Sequence, residues 1–327
     1  MELRSNFNLT PSTDKIKYSD SLFFIGSCFS DNISNTLEKR KFNTRSNPFG
    51  ILYNPISVFE NLENILSKKI YTEKNLFLKD EIWNCFEFHS DMSGTNKTAV
   101  LENISLSIKS NYKFLAKTKM LFITFGTAWV YEKDHKVVAN CYKINSQKFT
   151  KRLLSIDEIY TKAKSLIQQI KSLNKDITIV FTVSPVRHLK DGFTENNQSK
   201  SSLILAIKKI CDNLENTSYF PAYELLMDDL RDYRFFEEDF IHPNKLAISY
   251  ILAKFDEHYF GPKTLDTIKN IEKINSSLNH SVRFNETKSH IDFKETLMKK
   301  ILEMEKFGFD FSQEKESIHY SSLSVKK

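Results

Sequence analysis

The chain has 327 residues, of which 40% are hydrophobic, enough apolar material for one large folded domain or two smaller ones and too much for a disordered polymer. Its net charge of +6 comes from 47 Lys and Arg interleaved with 41 Asp and Glu along the whole length, which reads as a solvated basic surface and not as a nucleic-acid footprint. Cys28, Cys85, Cys141 and Cys211 lie far apart with no CxxC pair, against a zinc knuckle or a disulfide scaffold and in favour of free thiols in a reducing compartment.

The opening stretch MELRSNFNLT lacks a basic region followed by an apolar one, and no later apolar run approaches membrane length. A cytoplasmic chain without a membrane partner is therefore expected. The first strand is expected at residues 22–25, an apolar run stopped by Gly26, and helical spacing follows at 30–39. Ser27 and Cys28, two side chains capable of nucleophilic attack, stand at the turn between them. A second apolar run, 120–125, ends at Gly126. Residues 155–173 carry an apolar face, and ITIVFTV at 177–183 gives another strand. Helices are expected at 199–213 and at 244–255. Apolar strands alternating with amphipathic helices are the pattern of a parallel α/β sheet. Beyond Gly261-Pro262, Lys, Glu, Ser and Asn dominate. The expected organisation is a principal domain, 1–262, and a polar, partly helical appendage, 263–327, with one helix at 291–307 and a frayed end.

Only seven glycines and seven prolines occur, so their positions carry information. Gly26, Gly50 and Gly126 flank apolar runs, and Pro48, Pro55, Pro185 and Pro243 sit in NPFG, YNP, SPVRH and IHPN. Such punctuation marks the rim of an open sheet, where these folds bind ligands. Neither GxGxxG nor GxxxxGK[ST] is present, so no nucleotide, other cofactor or metal is expected. Asp239 and His242, three apart before a helix, can set a carboxylate against one imidazole nitrogen and leave the other as a general base. A helix start favours a thiolate at Cys28 through its dipole and free amides. Arg187 and His188 follow strand 177–183 onto the same rim, where Arg187 can hold an anionic group or pair with a nearby acid. Asp228, Asp229, Arg231, Asp232 and Arg234 read as a salt-bridged network positioning the loop of Asp239 and His242.

The ordered motifs FFIGSCFS, NPFGILYNP, FHS, ITFGTAWVY, TVSPVRH, YFPAYELLMDDLRDYRF and DFIHPN closely resemble those of the GSCFA family, which groups with the SGNH (GDSL-like) hydrolases. The resemblance covers roughly residues 1–260. It implies a three-layer α/β/α flavodoxin-like domain and ester hydrolysis or acyl transfer on a small-molecule or carbohydrate acyl ester. Laid on the SGNH pattern, Gly26 matches the glycine of Gly-Asp-Ser, Ser27 the aspartate and Cys28 the nucleophilic serine, while Asp239 and His242 match the closing Asp-x-x-His. Gly50 resembles the glycine whose amide completes the oxyanion hole. Where Gly-x-Asn-Asp is usual, the chain reads Gly126-Thr127-Ala128-Trp129, so the Asn donor is missing. Asn54, His89 or the amides of residues 28 and 50 are candidate replacements. Ser27 stays an alternative nucleophile if the turn register shifts by one. Ala128 also leaves open an inactive chain that keeps the cleft and binds a carbohydrate or small anion.

Overall fold

The computed structural model describes residues 7–278 and 287–316, and the end of the tail that was expected to fray lies outside them. From the N-terminus the chain runs β1 (Ser21–Gly26), α1 (Cys28–Lys39), β2 (Asn43–Ser46), α2 (Pro55–Leu66), the hairpin of β3 (Phe77–Lys79) and β4 (Ile82–Asn84), α3 (Lys97–Leu115) and β5 (Thr118–Phe125). It continues through β6 (Trp129–Lys133), β7 (Lys136–Val138), β8 (Thr150–Leu153), α4 (Ile156–Leu173), β9 (Thr178–Val183), α5 (Phe193–Asn213) and β10 (Thr217–Tyr219). A short turn, α6 (Ala222–Glu224), leads to α7 (Lys245–Tyr259), α8 (Pro262–Leu278) and α9 (Lys288–Glu305).

β2, β1, β5, β9 and β10 form one sheet in that order, and every pairing in it is parallel. This is the flavodoxin-like order. It runs outward in both directions from the β1–β5 pair, so the carboxyl ends of these two strands flank the switch point at which open α/β sheets take their ligands. Alternate residues feed two helical layers. Phe23, Ile25, Leu121, Ile123, Phe181 and Val183 pack on the side of α2, α3, α4 and α5. Leu22, Phe24, Met120, Phe122 and Val180 pack on the opposite side with α1 and α7. Burial on both faces is why these strands read as unbroken apolar runs.

The expected strands and helices are all present, with shifted ends. α1 starts two residues earlier than its apolar spacing indicates, because Ser27 caps it and Cys28 becomes its first residue. α5 starts at Phe193, not 199, since its first turns bury the polar Asn196 and Ser199 and show no apolar period. α2, which the sequence reading lacks, starts at Pro55 behind the cap Asn54; the proline there opens a helix. Among the described residues the tail holds both α8 and α9 where one helix was expected. α8 and α9 meet through Ile271, Ile274, Leu297 and Ile301, and Arg40, 8% exposed, joins Asp256 of α7 to Glu272 of α8. Among the described residues no helix is long and apolar enough to cross a membrane.

Candidate functional site

The turn after β1 is built around a close approach of two backbones. Gly26 has φ +129, and a Cβ there would lie 2.0 Å from the carbonyl oxygen of Thr124 on β5, so only glycine fits. Asn47 of the NPFG segment fixes the same turn. Its Oδ1 accepts the Gly26 amide at 2.8 Å, and its Nδ2 donates to Asp31 in the first turn of α1 at 2.8 Å. Ser27 is 1% exposed, and its hydroxyl accepts the amide of Phe29 as the helix cap. Cys28, next along, is half-buried and lines a cavity of about 520 Å3 at the sheet rim.

His242 lines the same cavity from a loop before α7. Its Nδ1 donates to Asp239 Oδ2 at 2.6 Å, while Asp239 Oδ1 accepts the amides of Ile241 and His242 at 2.8 and 3.0 Å. These hydrogen bonds from the His242 amide and ring, then from the Ile241 amide, hold the Asp239 carboxyl down at about 2. The loop is shaped by backbone pairing. Glu237 donates to the His242 carbonyl at 2.8 Å, Asn244 donates to that of Phe235 at 2.9 Å, and Phe240 takes φ +55 to close the turn. Of the charged residues expected to position this loop, Asp232 and Arg234 make no close ion pair, at 3.8 Å, but Asp232 Oδ1 accepts the Arg234 amide at 2.9 Å, and Arg234 offers its carbonyl to Asn244 at 2.7 Å; Asp229 accepts the hydroxyl of Tyr250 on α7.

The cavity gathers Ser27, Cys28, Asn54, His89, Thr127, Arg187 and His242 from the residues that the sequence singled out; Asp239 stands behind His242, and neither Gly50 nor Gly126 lines it. Several expected oxyanion donors are already engaged. The Gly50 amide donates to Asn47 at 2.8 Å, so it has no proton left for a substrate. What Gly50, at φ +77, provides is room: a Cβ there would sit 2.4 Å from His89 Cβ. The amides of Gly126 and Thr127 donate to the Tyr53 carbonyl at 2.7 and 3.0 Å, and that of Ala128 to Ser199 Oγ at 2.7 Å. Asn54 uses Oδ1 and one amide proton on Ser57 to cap α2. The first amide of α1, on Cys28, has no intrahelical acceptor.

The Cys28 thiol is pushed up. Burial leads, Asp31 adds to it, and the helix-start amides of Cys28 and Phe29 with Lys200 oppose it. The helix terminus thus acts in the expected direction but is outweighed by desolvation. Arg187 makes no pair with a carboxylate among the described residues; its guanidinium donates to Met227 Sδ at 3.3 Å and lies over the Phe236 ring.

The sequence reading missed part of the surroundings. Trp129 and Tyr131 of β6 and Cys141 also line the cavity, brought there by the antiparallel sheet β7–β6–β8 inserted after β5. His188, which the sequence already placed on this rim, lines it too, with a buried Nε2 that has no hydrogen-bond partner among the described residues; burial first, then the charge of Lys200, lowers its pKa to about 4. Lys200 is 1% exposed, and burial lowers it to about 7. Its signal was phase: it falls in step with the buried Leu203, Ile207 and Ile210 of α5.

Solved structures similar to this chain include a carbohydrate esterase family 3 protein from Talaromyces cellulolyticus, at 8% identity and a TM-score of 0.37 over 77% of this chain and 99% of that one. An acetyl xylan esterase from the rumen bacterium Butyrivibrio proteoclasticus matches at 13% identity and a TM-score of 0.33, over 63% of this chain and 56% of its own. An acetyl esterase with a serine-to-alanine substitution and an acetate ion matches at 8% and 0.35, over 77% and 99%. No curated protein matches the sequence. The GSCFA domain protein C-terminal domain matches residues 271–320, and the GSCFA family itself matches residues 21–255, so the chain belongs to the GSCFA family.

Proposed function

We propose that this protein is an SGNH-type hydrolase of acyl esters carried on a carbohydrate or another small molecule. Cys28 is the nucleophile, His242 the general base and Asp239 the group that orients it. The observation carrying this reading is the bond from His242 Nδ1 to Asp239 Oδ2 at 2.6 Å in a cavity that His242 shares with Cys28. With Nδ1 donating, Nε2 is the free base. It takes the thiol proton as sulfur bonds the acyl carbon, then returns it to the departing alcohol. Water, deprotonated by the same nitrogen, cleaves the thioester and releases the acid. An alcohol in place of water makes the reaction an acyl transfer. The Cys28 amide at the start of α1 faces the developing oxyanion. Ser27 is the weaker candidate because its side chain is buried and its oxygen accepts the Phe29 amide as the cap of α1. Trp129 and Tyr131 give the cavity the aromatic wall that a sugar ring would pack on. In this reading residues 1–262 carry the chemistry, 263–327 are an appendage, and the free thiols suit the cytoplasm.

Turnover of p-nitrophenyl acetate and of acetylated oligosaccharides tests it, with Cys28→Ala, Ser27→Ala and His242→Ala compared with wild type. Loss in the first and third with retention in the second is expected; undiminished turnover in His242→Ala sinks the mechanism. The raised thiol and the engaged amides of Gly50, Gly126 and Thr127 favour a second reading, a binding protein for a carbohydrate or small anion. Protection of Cys28 from alkylation by a glycan, with no turnover of any ester, would establish that reading.

A further inference from the structure

Beside the cavity of Cys28 and His242 lies a smaller one, of about 140 Å3, and Arg187 lines both. Its remaining wall comes from LLMDDLRDYRF, residues 225–235, which the proposed mechanism does not use. Leu225–Leu230 form a π-helical turn, in which the Arg231 amide donates to the carbonyl of Leu226 at 3.1 Å. Such turns are rare and gather at functional sites. Arg231 then takes φ +49, left-handed backbone that a non-glycine residue adopts at a cost. The outcome of this local strain is a second guanidinium on the small cavity beside Arg187. Neither arginine pairs with a carboxylate among the described residues. Arg187 spends one N–H on Met227 Sδ, a weak acceptor, at 3.3 Å and lies over the Phe236 ring at 5.5 Å. Asp232 lines the cavity too, but its Oδ1 accepts the Arg234 amide at 2.9 Å and its Oδ2 lies 3.8 Å from Arg234 Nε. Two cations thus face one carboxylate that is already engaged. The same wall is tied to the loop of His242. Tyr233 meets the rings of Phe236 and Phe240 at 6.3 and 5.8 Å, and the Arg187 amide donates to the carbonyl of Ile241 at 3.4 Å.

We propose that Arg187 and Arg231 form an oxyanion site for a phosphate or carboxylate group on the substrate whose ester occupies the larger cavity. It rests on the proposed function in taking that cavity as the ester site. Two planar guanidinium forks suit the oxygens of either group, which an ammonium would meet only as a point charge. The volume is ample, since a single water needs about 10–15 Å3. A group bound there leans on the wall joined to the His242 loop, so its binding places the ester relative to the base.

Isothermal titration calorimetry at low ionic strength tests the site with glucose 6-phosphate, glucuronate, inorganic phosphate and glucose, on wild type, Arg231→Gly and Arg187→Gln. At least one of the two anionic sugars binds wild type, with glucose at least about tenfold weaker, and each substitution raises the Kd of the sugar that binds about 10- to 100-fold. Inorganic phosphate binding as tightly as the phosphorylated sugar overturns the assignment to a substrate-borne group and gives the site to the free anion. No binding of either anionic sugar to wild type, or binding undiminished in either variant, overturns the site itself. Glycine relaxes φ +49, so Arg231→Gly keeps a urea midpoint at or above wild type while binding falls; a lower midpoint with binding intact makes Arg231 a structural residue. Should that variant fail to fold, Arg231→Asn, which also tolerates left-handed backbone, takes its place in the titration. Calorimetry needs no turnover. Anion binding without esterase activity defeats the proposed function and leaves the site standing, whereas esterase activity without anion binding defeats the site alone.

Discussion

Asp239 holds His242 from two directions, with Oδ2 on the ring nitrogen at 2.6 Å and Oδ1 on the His242 amide at 3.0 Å. The same carboxylate therefore sets the loop and the tautomer. Asp239→Asn keeps an acceptor for the amides but loses the charge that favours an imidazolium and the acceptor that fixes Nδ1–H. In the proposed mechanism kcat falls on the order of 1,000-fold with little change in KM. The Asp239 carboxyl is depressed, so its contribution is complete above its ordinary value of 3.8 and is lost as pH falls through about 2. An acid limb of activity near neutrality would accordingly belong to another group. Steady-state kinetics of the variant between pH 5 and 9 check this, and a kcat within threefold of wild type would remove Asp239 from the mechanism.

Gly26 and Gly50 have different jobs, and alanine separates them. At Gly26 the new methyl meets the rigid Thr124 backbone at 2.0 Å and the residue keeps φ +129. Gly26→Ala is expected to lose about 3 kcal/mol or more of stability, enough to threaten folding. At Gly50 the obstacle is the side chain of His89, with Cβ at 2.4 Å, and not a strand backbone. Gly50→Ala folds, with a loss of about 1–3 kcal/mol in urea titration and a displaced His89. A Gly50→Ala protein that matched wild type in urea would contradict the packing role assigned here.

The parallel sheet was legible because each central strand is buried on both faces and hence continuously apolar, as in the run ending at Gly26. The pairing of Asp239 with His242 was legible for a local reason, since three residues and one tight turn bring them together. Between Ser27 and Cys28, spacing alone could not decide; what the structure adds is that the Ser27 side-chain oxygen caps α1 while Cys28 becomes its first residue. Gly50 stood out as a special glycine, but its neighbour His89 arrives by a long-range fold, so the close approach of the two, and the bond from the Gly50 amide to Asn47, could not be read from the motif. Lys200 was hidden because a lysine is ordinarily solvated, and its burial depends on two carbonyls brought from β5 and β9.

His188 gives the protein a stability loss on the acid side. Its folded pKa lies at about 4, below the ordinary 6.5, because burial disfavours the cation. The unfolded chain therefore takes up a proton first as pH drops below 6.5, and stability declines until the folded state is also protonated near 4. Above 6.5 there is no effect. The expected cost by pH 4 is on the order of 2–3 kcal/mol. His188→Leu, which also removes an unpartnered buried nitrogen, flattens this part of the curve. Urea midpoints of wild type and variant at pH 7.5, 6, 5 and 4 measure the difference; parallel curves would place the burden on another group.

Arg187 is expected to set a preference in substrate charge. Its guanidinium is held over Phe236 and against Met227 but has no carboxylate partner among the described residues, so its position is fixed while its charge is unspent. Arg187 lines the cavity along with Asp191, which is already bound to Lys151, while Met227 and Phe236 line a second pocket that Arg187 also reaches. An anionic group on the substrate would gain a preorganised, bidentate donor there without the entropy cost of ordering a free side chain. For an ester bearing a carboxylate, Arg187→Ala should raise KM about 10- to 100-fold and leave kcat nearly unchanged, because the contact is the same in the ground and transition states. For a neutral ester of the same acyl group KM moves less than threefold. Arg187→Lys recovers only part of the difference, since an ammonium keeps the charge but not the planar fork. Equal KM changes for the charged and neutral esters would assign Arg187 to packing on Phe236 and not to substrate recognition.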